Sequence, residues 1–118
     1  MTVSLRKPSD DLSQGFIRAA ARVQRGAEKL DEGIGGDWHD SIDLLDFDIT
    51  SLSDCILGQL YRDEVREPWQ AFGRGMVALF GEDDDNFETA RFYGFDGDTS
   101  EYVDLQDAWN ALILSRRS

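Results

Sequence analysis

The chain has 118 residues, 41% hydrophobic and 11% aromatic. That is enough for one domain whose core removes roughly two-thirds of the unfolded surface from water, and too apolar for global disorder. Twenty-four acidic against 12 basic side chains leave a formal net charge of −12; such a surface repels nucleic acid and anionic membranes, so no direct nucleic-acid binding is expected, and association is steered toward basic partners.

In chain order, residues 1–8 read as an irregular lead-in ended by Pro8, with Ser9 as a helix N-cap and Asp10 and Asp11 in the first turn. Leu12, Phe16, Ala20, Val23, Ala27, Leu30 and Ile34 then recur at spacings of three and four, which places them in one stripe less than about 100° wide. Gly33, Gly35 and Gly36 supply the stop, while Gly15 and Gly26 each cost the helix about 1 kcal/mol against alanine. Residues 37–54 alternate acids with Trp38, Ile42, Leu44, Leu45, Phe47 and Ile49. The aspartates disfavour a long strand, and the expectation is a loop with a short helix around Asp37–Leu45, a short strand being the alternative.

Ser51 or Ser53 caps a short helix running through Cys55 to Leu60, in which Gly58 marks a close approach to another element. A further helix starts near Glu67 with Pro68 in its first turn; Trp69, Phe72, Met76, Leu79 and Phe80 form its buried face and Gly81 ends it. Residues 82–85 make an acidic turn before a short helix from Phe87 to Tyr93. Gly94 to Thr99 is a turn, and Thr99 or Ser100 caps a last helix that carries Tyr102, Leu105, Trp109, Leu112 and Ile113 on one face. Arg116 and Arg117 sit at its C-terminus, where positive charge complements the dipole, and residues 115–118 are expected to fray. The fold class is therefore all-α: one domain over 1–118, a bundle of three longer and about two short helices around an aromatic-rich core, with an irregular acidic segment at 37–54.

Catalytic chemistries fail on their own requirements. His39 has no second histidine to work with, and no motif links it to Cys55. Zinc needs nitrogen and sulfur ligands that are scarce here. Asp96 and Asp98 imitate the opening of a calcium loop, but Glu101 takes the position that needs glycine and Asp107 the one that needs glutamate; a helix cap accounts for them better. Gly33-Ile34-Gly35-Gly36 closes a helix and lacks the lysine of a phosphate loop. With so many carboxylates, no pair stands out as an acid–base couple. No catalytic residue, cofactor or metal is assigned, and the chain is not expected to be an enzyme. A lone cysteine excludes an intrachain disulfide and suits a reducing compartment. No apolar run follows Arg6 and Lys7, and none approaches the roughly 18 residues of a membrane span, so a cytoplasmic location without membrane association is expected.

One charge pattern is sharper. Arg18, Arg22, Arg25 and Lys29 stand at i, i+4, i+7 and i+11, a narrow basic stripe opposite the apolar one. Its ordinary reading is a solvated face, partly paired with Asp11, Glu28 and Glu32 and with acids of neighbouring segments. Its functional reading is a contact site for an acidic partner, or half of an electrostatically matched self-assembly.

The run from Arg22 to Glu32, followed by Trp38, Ile42-Asp43, Cys55-Ile56-Leu57-Gly58-Gln59-Leu60-Tyr61, Tyr93-Gly94-Phe95-Asp96 and a closing helix with Trp109, resembles a group of small proteins encoded by bacteriophages of actinobacteria, including mycobacteriophages. The likeness covers most of residues 18–113, residues 55–61 being its most specific part; where members often have glycine after the tyrosine, this chain has Arg62. The group has no activity to carry over, so the resemblance implies a genomic setting. In that setting residues 55–61 are either core fillers, with Gln59 satisfying a loop backbone, or a binding strip with Gln59 and Tyr61 as contacts. The expectation is a non-enzymatic phage accessory protein that binds a host protein, in host takeover or counter-defence. The alternatives are an acidic DNA mimic and a small structural or homo-oligomeric phage component.

Overall fold

The computed structural model describes residues 6–81 and 87–118, with side chains from residue 14 onward within them. Helix α1 (Arg6–Gly33) is its longest element. It already includes Arg6, Lys7 and Pro8, so the irregular lead-in is corrected over residues 6–8, and Ser9 is an interior position rather than a cap. Proline is tolerated there because the first-turn N–H groups have no intrahelical acceptor to lose; residues 1–5 lie outside the described residues. The buried arc of α1 consists of Ala19, Val23, Gly26, Ala27 and Leu30. Phe16 and Ile34, expected inside, are exposed. The contact face has turned toward the small residues, where neighbouring chain comes closest: a Cβ on Gly26 would lie 2.1 Å from the Tyr93 carbonyl oxygen. The glycine run ends the helix as expected, with Gly35 at φ +117° and its N–H shared between the Leu30 and Asp31 carbonyls.

Helix α5 (Tyr102–Arg117) lies along α1 and runs parallel to it. Asp104 faces Gly15, Trp109 faces Gly26 and Arg116 binds Asp31, so partner numbers rise together. The frayed tail is corrected: α5 is helical through Arg117. Arg116 is anchored by two bonds to Asp31 at 2.7 and 3.0 Å, and Arg117 donates to the carbonyls of His39 and Ile42. The entry to α5 is also set differently from expectation. Glu101 accepts from the Asp98 N–H at 2.8 Å, so the cap is built on Asp98 and not on Thr99 or Ser100.

Helices α2 (Ile56–Tyr61) and α3 (Ala71–Phe80) pack together at Gly75, where a Cβ would be 2.9 Å from the Tyr61 ring and 3.0 Å from Leu57. The cap of α2 is Cys55, whose Sγ accepts from the Gly58 N–H at 3.3 Å. Ser51 instead closes the preceding turn by accepting from the Asp54 N–H, which corrects the serine-cap expectation. Pro68 opens a 3-10 turn, Pro68–Gln70, that feeds α3. Because that turn winds more tightly than an α-helix, Trp69 leaves the inner face and is exposed; Ala71, Gly75, Met76 and Leu79 are buried in its place. Helix α4 (Phe87–Phe92) leads into the Gly94 turn. Gly81 closes α3 at φ +94°, and the acidic turn expected at 82–85 lies outside the described residues.

No strand forms among the described residues, and segment 37–54 is a 3-10 helix, Trp38–Ser41, followed by turns. Its alternating pattern buries Trp38, Ile42, Phe47 and Ile49 while Asp40, Asp43, Asp46 and Asp48 stay outside. Leu45 breaks the pattern at 97% exposed. Two glutamines supply the backbone partners that a strand would have found in a sheet. Gln59 of α2 accepts from the Asp43 N–H at 2.7 Å and donates to the Asp43 and Asp54 carbonyls. Gln106 of α5 accepts from the Ile49 N–H at 2.8 Å and donates to the Phe47 carbonyl at 2.7 Å. At the centre of the single core, Trp109 stacks on Phe95 and meets Trp38 edge-on.

Candidate functional site: an acidic groove between helix ends

The basic stripe on α1 is largely turned to internal use. The Arg22 guanidinium pairs with Glu101 at 2.9 Å. Arg25 donates to the Phe92 carbonyl at 2.9 Å and lies 4.0 Å from the centre of the Phe92 ring. The Lys29 ammonium stands 5.3 Å from the Phe80 ring centre. These are cation–π and charge-assisted contacts that bind α1 to α3, α4 and the entry of α5. Arg18 is exposed, on the rim of a cleft of about 340 Å³ that it shares with Arg22, Glu101 and Asp104. Of the partners expected for the stripe, an acid of a neighbouring segment is found in Glu101, while Arg25 and Lys29 meet the Phe92 and Phe80 rings. The Glu101 carboxyl is held below its ordinary range by the Asp98 N–H first and by Arg22 after it, against the opposing effect of burial.

Gln59 and Tyr61 face inward. Gln59 is the loop clamp described above, and Tyr61 is buried beneath Gly75, where loss of solvent raises its phenol pKa. Both nevertheless line a groove of about 770 Å³ between the C-terminal ends of α1 and α2. Gly33 and Ile34 bring the end of α1 to it, Leu60 and Tyr61 the end of α2, and Trp38 and Ser41 the 3-10 helix. Its charged groups are Asp37, Asp63 and Glu64 against Arg62 alone. Arg62 is already bound to Asp54 at 3.0 Å and to the Ser53 carbonyl. Helix α1 carries no base in its last turn, so the negative end of its dipole adds to the field of the carboxylates, while Arg62 stands at the C-cap of α2.

Sequence reading missed Asp37, Asp63 and Glu64 as a group. No sequence signal singled them out: Asp37 is the N-cap of the 3-10 helix Trp38–Ser41, and Asp63 and Glu64 stand in the first turn of a short 3-10 helix, Arg62–Glu64, where acids are ordinary. Their convergence was hidden because it depends on the path of residues 37–54.

One wall of the groove is fixed by a three-group junction. Asp31 accepts from Arg116 at 2.7 and 3.0 Å and from the Trp38 indole at 2.8 Å, and the Arg116 guanidinium stands 5.5 Å from the Trp38 ring. The Arg116 bond, reinforced by the Trp38 N–H, holds the Asp31 carboxyl below its ordinary value near 3.8, against the opposing effect of burial. A depressed carboxylate stabilises the fold fully above its unfolded pKa and loses that contribution as pH falls through its folded value. Asp31→Asn is therefore expected to lower Tm at pH 6, with the gap from the unsubstituted protein closing below about pH 4. Thermal melts of both proteins from pH 6 to pH 2.5 measure it, and a constant gap would show that the junction does not depend on charge.

His39 lies edge-on to Trp38 with its Nε2 3.6 Å from Asp40. Cys55 is buried and its thiol is pushed up to about 11, chiefly by burial; a thiol held protonated is a poor nucleophile. Among the described residues no three of His, Cys, Asp and Glu converge as a metal-binding set, and no helix is long and apolar enough to cross a membrane.

Fold and groove together define a small all-α helical domain with an acidic depression among its described residues. No protein-family model, curated protein or solved structure matches the chain.

Proposed function

We propose that this chain is a non-enzymatic bacteriophage accessory protein that acts by binding a host protein. The observation that carries the reading is the groove between the ends of α1 and α2. It is open, charged and framed by fixed side chains, on a protein whose net charge of −12 steers it toward basic partners. The phage-like run at residues 55–61 supports the setting, since Gln59, Leu60 and Tyr61 line the groove. The basic stripe contributes less than its spacing suggests, because Arg22, Arg25 and Lys29 have partners within the fold.

The test is an affinity capture from an actinobacterial lysate at low and high salt, followed by reconstitution with the purified candidate. Arg18→Glu is the appropriate probe of the stripe, because reversing the other three cations would disturb packing as well as charge. A host protein that re-forms a defined complex with the purified chain, more weakly in high salt, is the expected result. Failure to reconstitute a complex, together with a closed homo-oligomer by light scattering, would replace this reading with self-assembly. Turnover in hydrolase or transferase screens would also overturn it.

A further inference from the structure

Asp37, Trp38 and Ser41 line the groove, while Asp40, Ser41 and Ile42 line a second depression of about 460 Å³. Ser41 is common to both, so the 3-10 helix Trp38–Ser41 borders open space in each. The two ends of this turn are fixed. Trp38 is buried, donates to Asp31 at 2.8 Å and meets Trp109 edge-on. Ile42 is buried too, and Gln59 holds the Asp43 backbone on both its N–H and its carbonyl. Between them, the hold on residues 39–41 is slight. No side chain caps the turn at Asp37, and 3-10 hydrogen bonds are poorer than those of an α-helix. The His39 side chain is only 14% exposed, yet its Nε2 stands 3.6 Å from Asp40, beyond an ordinary hydrogen bond. Its Nδ1 is buried with no hydrogen-bond partner among the described residues. An unpartnered polar atom destabilises the closed turn, and that cost disappears when water reaches the ring. What opposes opening is Arg117, which donates to the His39 carbonyl at 2.7 and 3.2 Å and to the Ile42 carbonyl. We propose that this turn is a gate. Residues 39–41 melt between the fixed Trp38 and Ile42, Arg117 is the latch, and opening removes the Ser41 wall that the two depressions share. The gate sets the shape of the groove and stands whether or not a host protein binds there.

The test is native-state amide exchange of the ¹⁵N-labelled full chain in low urea. It is read at the Asp40 and Ile42 amides, which donate to the Asp37 and His39 carbonyls in the closed turn. Both are expected to exchange through a local opening, at rates that hardly respond to urea. The buried Trp109 indole N–H should exchange only with global unfolding, and rates are compared relative to it. Arg117→Met keeps the aliphatic stem and removes the latch. It should speed Asp40 and Ile42 about ten-fold, through loss of charge-assisted bonds, and leave the Asp43 amide, held by Gln59, unchanged. His39→Phe keeps a ring beside Trp38 and removes the unpartnered nitrogen, so it should slow the same two amides about three-fold. Asp40 and Ile42 exchanging with the Trp109 indole would overturn the gate, and so would amides with no protection at all in the unsubstituted chain. Arg117→Met speeding Asp43 equally would show that the arginine holds the whole segment, with no separate gate. His39→Phe speeding exchange would show that the imidazole favours closure, which removes the reason for the turn to open.

Discussion

Gly26→Ala is expected to destabilise the protein by about 3 kcal/mol or more, the cost of forcing side-chain volume into closed packing, whereas Gly73→Ala should stabilise it by about 0.5–1 kcal/mol. Both glycines are interior to helices, and helix propensity alone assigns both substitutions the same favourable sign. Their surroundings differ. A Cβ at position 26 would sit 2.1 Å from the Tyr93 carbonyl oxygen and 3.1 Å from the Trp109 ring; at position 73 it meets nothing within 4 Å. The obstructing oxygen is backbone and cannot rotate away. The turn that bears it is tied by Phe95 N–H to the Ala90 carbonyl at 2.9 Å and by the Trp109 indole to the Gly94 carbonyl at 2.7 Å. Relief therefore requires α1 to part from the 93–95 turn and from α5. Urea unfolding followed by circular dichroism reads both variants as shifts of midpoint at a common slope. A Gly26→Ala midpoint at or above that of the unsubstituted chain would mean that α1 and the turn are not in this close contact.

The same glycine shows where a sequence can and cannot be read. Helix existence was legible because it depends on local terms: periodicity, the glycine stop after Gly33, Pro68 in a first turn and the dipole-favouring Arg116 and Arg117. Which way each helix faces was less legible. On α1 the apolar stripe was centred on the large residues, yet the tightest contact forms at Gly26, because closeness is gained by absent side chains, which a hydrophobic pattern does not score. Trp69 misleads for a related reason, since one 3-10 turn re-phases everything before Ala71. Segment 37–54 was beyond local reasoning: its backbone is bonded by Gln59 and Arg62 from α2 and its C-cap and by Gln106 and Arg117 from α5. The groove inherits that difficulty. Gln59 and Tyr61 were singled out and do line it, but their neighbours Asp37, Asp63 and Glu64 become a group only once the segment is in place. The ordinary reading of the basic stripe named local acids and acids of neighbouring segments as partners, and Glu101 is one of the latter. The Phe92 ring and carbonyl are partners that a charge pattern does not name. Glu101 and Phe92 lie far along the chain.

Trp109→Ala should be the most damaging single truncation, costing about 3–5 kcal/mol of a total that for a domain of this kind is about 5–15 kcal/mol. Trp109 is fully buried, stacks on Phe95 at 5.6 Å and 18°, and meets Trp38 edge-on at 6.0 Å. Its indole N–H satisfies the Gly94 carbonyl. One side chain thus joins α5, α1 through Gly26, the 93–95 turn and the 3-10 helix, and no neighbour can collapse into the space without breaking another of these contacts. Trp109→Phe separates the components. It keeps an aromatic face for Phe95 but leaves the Gly94 carbonyl without its buried donor, so it should cost less than alanine and still about 1–3 kcal/mol. Urea midpoints order the variants, and amide exchange of residues 38–42 locates the damage. Because Trp38 leans on Trp109 from one side and on the Asp31–Arg116 pair from the other, both substitutions should speed exchange there before the chain unfolds globally. Exchange at 38–42 that tracks only global stability would mean that the groove wall stands without the tryptophan pair, leaving the Asp31 junction as its sole support.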